Sequence, residues 1–80
     1  MNERDWTRAV TEFHAVLALN PAEPQGSTAA YDAGIAEANL ANNDDAARDF
    51  RLALQRDPAF LAAMANLIAV DLRRNDLSDA

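Results

Sequence analysis

The chain has 80 residues, a net charge of −6 and no cysteine. Its length makes one small domain at most, which buries only roughly 60% of the surface the unfolded chain exposes. Without cysteine there is no disulfide framework or thiolate zinc site, and an acidic chain with scattered arginines lacks the basic patch that nucleic acid requires.

Half the residues are apolar, much of that alanine, with two glycines and three prolines. This composition favours closely packed helices over strands and predicts an all-α fold. All seven basic residues are arginines, a bias to which we assign no function. The longest apolar run, Phe60 to Val70, is interrupted by Asn66 and is too short to span a bilayer. Met1 to Val10 is charged and polar, unlike a signal peptide. No membrane insertion is expected, and the compartment stays open, with the cytoplasm slightly favoured.

In chain order, a first helix is expected over residues 4–19, with Asn2 or Thr7 as cap and Asn20-Pro21 as stop. Trp6, Ala9, Phe13, Val16 and Leu17 form its apolar face. His14 lies off that stripe and reads as a solvated surface histidine, with no ligand partner within its own helix. Pro21 to Ser27 holds two prolines and a glycine and reads as a loop.

The second helix is expected over 27–41. Ala30, Ala33, Gly34 and Ile35 lie near one another in it. A mid-helix glycine costs about 1 kcal/mol relative to alanine, so Gly34 marks a place where two backbones nearly touch. Ala41-Asn42-Asn43 is the turn. The third helix, 44–56, begins with Asp44 as cap and ends at Asp57-Pro58. Ala46, Phe50, Ala53 and Leu54 share one face, and Asp45, Arg48, Asp49 and Arg51 lie mostly on the other. Asp44 and Arg48 stand four apart in the favourable order for a surface pair. The fourth helix, 58–74, carries Leu61, Met64, Leu67, Ile68 and Leu72, with Arg73 and Arg74 set to suit the negative end of its dipole. Asn75 to Ala80 is expected to turn and open a further helix.

The pattern repeats. Asp5, Ala9, Phe13, Val16, Leu17 and Pro21 match Asn42, Ala46, Phe50, Ala53, Leu54 and Pro58 at an offset of about 37. It starts again at Asp76, Leu77 and Ala80, about 34 residues after Asn42. The few extra residues in the first interval fall in the Pro21–Ser27 loop, either a binding insertion or a tolerated surface one.

Ala46-x-x-x-Phe50 followed by Pro58 resembles the second half of a tetratricopeptide repeat. Ala30-x-x-Ala33-Gly34 resembles its first half, with alanines where the family has Trp and Leu and Glu37 in place of its Tyr. In the fourth helix Met64, Leu67, Ile68 and Asp71 stand at those positions. The resemblance covers nearly the whole chain and implies antiparallel helical hairpins stacked as an α-solenoid of about four helices. Its implied function is non-catalytic protein–protein interaction, with a partner peptide or protein segment held on the concave face. That face is expected to include Thr28, Tyr31, Ile35 and Asn39 from the second helix, and Ala62, Ala65, Ala69 and Arg73 from the fourth. The alanines there either admit a small apolar helix or extended segment, or merely allow tight curvature. The family's clamp for chaperone carboxyl-terminal peptides needs more basic residues than this face offers and is not expected.

The phase of the chain, a second-type helix at its start and a first-type helix at its end, raises an alternative. The chain is expected either to be part of a longer array or to be completed by its own copies. Trp6, Ala9 and Phe13 at one end, and Leu67, Ile68 and Leu72 at the other, would then form a homo-oligomer contact. An enzyme is not expected, because the sequence has no cysteine nucleophile, no glycine-rich phosphate loop and one isolated histidine. No cofactor or metal is implied, since the cluster Asp44, Asp45 and Asp49 sits at a helix start where the dipole favours acids.

Overall fold

The computed structural model describes residues 2–79, which form four α-helices: α1 (Glu3–Ala18), α2 (Gln25–Asn39), α3 (Asn43–Arg56) and α4 (Leu61–Asp79). No strand occurs among the described residues. Each helix packs chiefly on its chain neighbours, α1 on α2, α2 on α3 and α3 on α4, in a body with a Cα radius of gyration of 12.3 Å.

Local chemistry sets the helix ends, not always where the sequence pointed. Asn2 caps α1, its side chain accepting from the Asp5 amide at 3.0 Å. Helix α2 begins two residues before Ser27, because the Glu23 carboxylate accepts the Ser27 amide at 3.1 Å and so supplies the missing cap. Ser27 itself lies buried inside the helix. Asp44 is within the first turn of α3 and does not cap it; Asn42 holds that position, without a side-chain bond. Asp57 is extended and accepts from the Ala59 amide at 3.1 Å, so α4 starts at Leu61 rather than at Pro58.

The expected stop after Arg74 is also corrected, since α4 continues to Asp79. Residues 75–79 contain neither glycine nor proline, so nothing ends the helix there. The expected further repeat reaches Ala80, which lies outside the described residues. Arg73 and Arg74 are therefore mid-helix. Arg74 does not serve the helix end but bridges Asp44 on α3 and Asp71 on α4, at 2.8 and 3.0 Å. The anticipated Asp44–Arg48 pair gives way to Arg48 with Asp45, at 2.6 Å.

The core is built mostly of alanine. Ala30, Ala33, Ala36, Ala46, Ala47, Ala53 and Ala63 are fully buried, and Phe50 and Val70 are the two largest fully buried side chains. Alanine faces bring helix axes close, and the Phe50 ring fills the space left between them. Gly34 makes that fit possible: a Cβ there would stand 2.6 Å from Phe50 Cε1 and 2.8 Å from Cδ1. The close approach predicted at Gly34 is real, but an aromatic ring makes it rather than a second backbone. Tyr31 extends the aromatic packing, its ring centroid 5.8 Å from Phe50 and 4.9 Å from Phe60.

The connections after α1 and α2 both turn through a left-handed residue. Asn20 after α1 and Ala41 after α2 have φ of 51° and 61°. After α2 the Asn42 amide donates to the Glu37 carbonyl at 2.9 Å and the Ala41 amide to that of Ala38 at 3.1 Å, a Schellman closure. The first loop is then tied down from α3, where Arg56 donates to the Pro21 carbonyl at 3.0 Å and to Asn20 Oδ1 at 2.7 Å. No helix of the described residues is long and apolar enough to cross a membrane.

Candidate functional site

Helices α2 and α4 leave a groove of about 190 Å³ between them, lined by Ile35, Ala38 and Asn39 on one side and by Asn66, Ala69, Val70 and Arg73 on the other. Four of these, Ile35, Asn39, Ala69 and Arg73, belong to the face expected from the sequence. Asn39 donates to the Ile35 carbonyl at 2.9 Å, and Asn66 to the Ala62 carbonyl at 2.8 Å and the Tyr31 hydroxyl at 3.3 Å. Both carboxamides are thus oriented by donor bonds that do not engage their oxygens. Tyr31 is half-buried in the aromatic packing and does not line the groove, which it meets through the hydroxyl that accepts from Asn66. Thr28, Ala62 and Ala65 are exposed but do not line it.

Helix α4 presents a second surface. Leu61, Met64, Ile68 and Leu72 are exposed, Ile68 at 57% and Leu72 at 61%. Their spacing of three, four and four places them along one side of the helix, away from the side on which Ala63 and Val70 are buried. Of the residues expected at an open end, only Ile68 and Leu72 belong to this stripe. Leu67 is half-buried against the cluster of Ala46, Ala47, Phe50 and Val70, and Trp6, Ala9 and Phe13 are half-buried on α1.

A larger open cleft, about 970 Å³, separates the start of α3 from the second half of α4. Its walls are charged, and Arg48 and Arg74 are matched there with Asp45, Asp44 and Asp71. Arg51 also lines the cleft and brings its three arginines level with the three aspartates.

The third feature was not visible in the sequence. His14 of α1, Glu37 of α2 and Asp49 of α3 converge. His14 Nε2 lies 2.8 Å from Asp49 Oδ2 and 3.9 Å from Glu37 Oε2, and one donor atom from each residue falls within 4.8 Å of the others. Both carboxylates are buried, while the His14 side chain is 45% exposed. The solvated-histidine reading is corrected: one face of the ring meets solvent and its Nε2 is engaged. Asp49 likewise leaves the polar face assigned to it. It stands three residues after Ala46 and four before Ala53, which puts it at the edge of the buried arc. Glu37 follows Ala30, Ala33 and Gly34 at helical spacing, at the centre of the buried face of α2.

Burial pushes the Glu37 carboxyl up to about 9, helped by its hydrogen bond to Asp49 and the nearby charges of Asp49 and Asp45, with Arg48 opposing. At neutral pH Glu37 therefore holds a proton, as expected of two acids that share a desolvated site. Its second oxygen, Oε1, is buried without a hydrogen-bond partner. Such a group costs about 1–3 kcal/mol.

The chain matches no known protein family, no curated protein and no solved structure.

Proposed function

We propose that the chain is a non-catalytic protein-interaction scaffold of tetratricopeptide type, holding an extended partner segment in the groove between α2 and α4. The observation that carries this reading is the composition of the groove. Ile35, Ala38 and Ala69 line it with small or apolar side chains, and Asn39, Asn66 and Arg73 supply polar groups along its length. Small side chains let a peptide backbone approach, and carboxamides can exchange hydrogen bonds with it. The solenoid reading draws support from the packing of helices on chain neighbours, the quasi-one-dimensional order of repeat arrays. Selection from a random peptide library with the full chain tests the groove. Selected peptides are expected to lose at least about tenfold in affinity to Ala69→Arg, which fills the groove from a surface position. Peptides that bind the variant equally well would refute the reading.

A second reading is self-assembly through the exposed stripe of α4. Four large apolar side chains on one helical face are more than scattered surface residues, and contiguous patches of this kind mark interfaces. If copies pack through the stripe, light scattering across a wide concentration range gives a mass above the monomer. Ile68→Asp, which buries a charge in the contact, then raises the dissociation constant about tenfold or more. A folded monomer at all concentrations rejects this second reading and leaves the groove unaffected.

A further inference from the structure

We propose that His14, Glu37 and Asp49 form a binding site for a zinc-class divalent transition-metal ion, which fastens α1 to α2 and α3. Each of the three helices contributes one donor, and the donors are one imidazole nitrogen and two carboxylate oxygens. Zinc accepts this set, with bonds of about 2.0–2.2 Å and a fourth position left to water. Tetrahedral donors at such distances stand about 3.4 Å apart. The His14–Asp49 and His14–Glu37 separations of 2.8 and 3.9 Å bracket that value, and all three donors lie within 4.8 Å of one another, so side-chain adjustment brings the donors toward an ion. Magnesium and calcium prefer six or more oxygen ligands, which a site with a nitrogen donor and two buried acids does not supply.

A second observation points the same way. Glu37 is almost wholly buried, yet Oε1 has no hydrogen-bond partner. Two acids brought together between three helices, with one oxygen orphaned, leave buried polar capacity unmet in the metal-free protein. A divalent cation between the carboxylates supplies the positive charge that such a buried cluster lacks. The half-exposed His14 ring gives the ion an entry path. The mechanical consequence falls on α1, which has no buried residue of its own and gains a link through the ion to α2 and to α3.

The site is independent of the α2–α4 groove and is tested separately. The full chain is freed of metal with a chelator and titrated with zinc chloride by calorimetry, and its thermal midpoint is measured with and without zinc. One ion per chain and a raised midpoint are expected. His14→Ala alters a half-exposed side chain and leaves the alanine core intact. It is expected to weaken zinc binding at least tenfold and abolish the rise in midpoint. Cobalt(II), added to the unaltered chain as an optical probe, is expected to give visible absorption bands of a low-coordinate site with nitrogen and oxygen donors. Zinc binding that survives His14→Ala unchanged would be diffuse binding to surface carboxylates and would overturn the proposal. So would the absence of stoichiometric binding, or tighter binding of magnesium than of zinc.

Discussion

Phe50→Ala is expected to remove about 3–5 kcal/mol of stability, the usual range for deleting a buried aromatic ring. A chain of this length has about 4–12 kcal/mol in total, so this one change consumes much of it. Most of the surrounding fully buried side chains are alanines, too small to refill the space. The contact with Gly34 makes a sharper form of the prediction. In the unaltered chain Gly34→Ala puts a Cβ 2.6 Å from the Phe50 ring, and overpacking of about 1–3 kcal/mol outweighs the helix-propensity gain of about 1 kcal/mol. In the Phe50→Ala background the clash is gone and only the propensity gain remains. Gly34→Ala therefore changes sign, destabilising the first protein and stabilising the second. Urea denaturation of the four proteins, followed by helical circular dichroism, measures this cycle. An osmolyte such as trimethylamine N-oxide can be added at fixed concentration to keep the weakest variants folded. Equal destabilisation in both backgrounds would show that the Gly34–Phe50 contact does not organise the core.

Close helix packing was the most legible part of the fold, although the ring that meets Gly34 was not. The small–large–small order of Ala46, Phe50 and Ala53, and the anomalous glycine at position 34, both announce close helix packing before any coordinates are known. The family resemblance implies one face of eight residues, and four of them, Ile35, Asn39, Ala69 and Arg73, line the groove while Thr28, Tyr31, Ala62 and Ala65 do not. Periodicity reports which side chains share a face, but not which of two faces meets a neighbour. Hence Leu67 was grouped with Ile68 and Leu72, although it packs inward while they stay exposed. The polar cluster was hidden for a different reason. His14, Glu37 and Asp49 come from three helices, and no spacing within one helix links them. The available signal was Glu37 itself, an acid at the centre of a face otherwise made of Ala30, Ala33 and Gly34, at a position where the resembled family has a tyrosine.

Glu37 also governs how stability depends on pH in the metal-free protein. Its carboxyl titrates at about 9 when folded, against an ordinary value of 4.5. Between those values the folded chain binds one proton more than the unfolded chain, so stability falls as pH rises. The favourable contribution is complete below about pH 4.5 and is lost progressively as pH climbs toward 9. Glu37→Gln removes the titration but keeps an N–H donor for Asp49 and nearly the same volume. Near pH 5 the two proteins are expected to differ little. By pH 9 the variant is expected to be more stable by about 1–3 kcal/mol, comparable to the penalty for an unsatisfied buried polar group. The informative quantity is the difference between the two denaturation curves at each pH. The His14–Asp49 contact and the surface pairs Asp44–Arg74 and Asp45–Arg48 are present in both proteins and cancel from it. A difference that stays flat from pH 5 to 9 would mean that Glu37 is ionised in the fold at neutral pH. A difference that grows with pH establishes a protonated acid beneath His14, held there by burial and by the neighbouring carboxylate of Asp49.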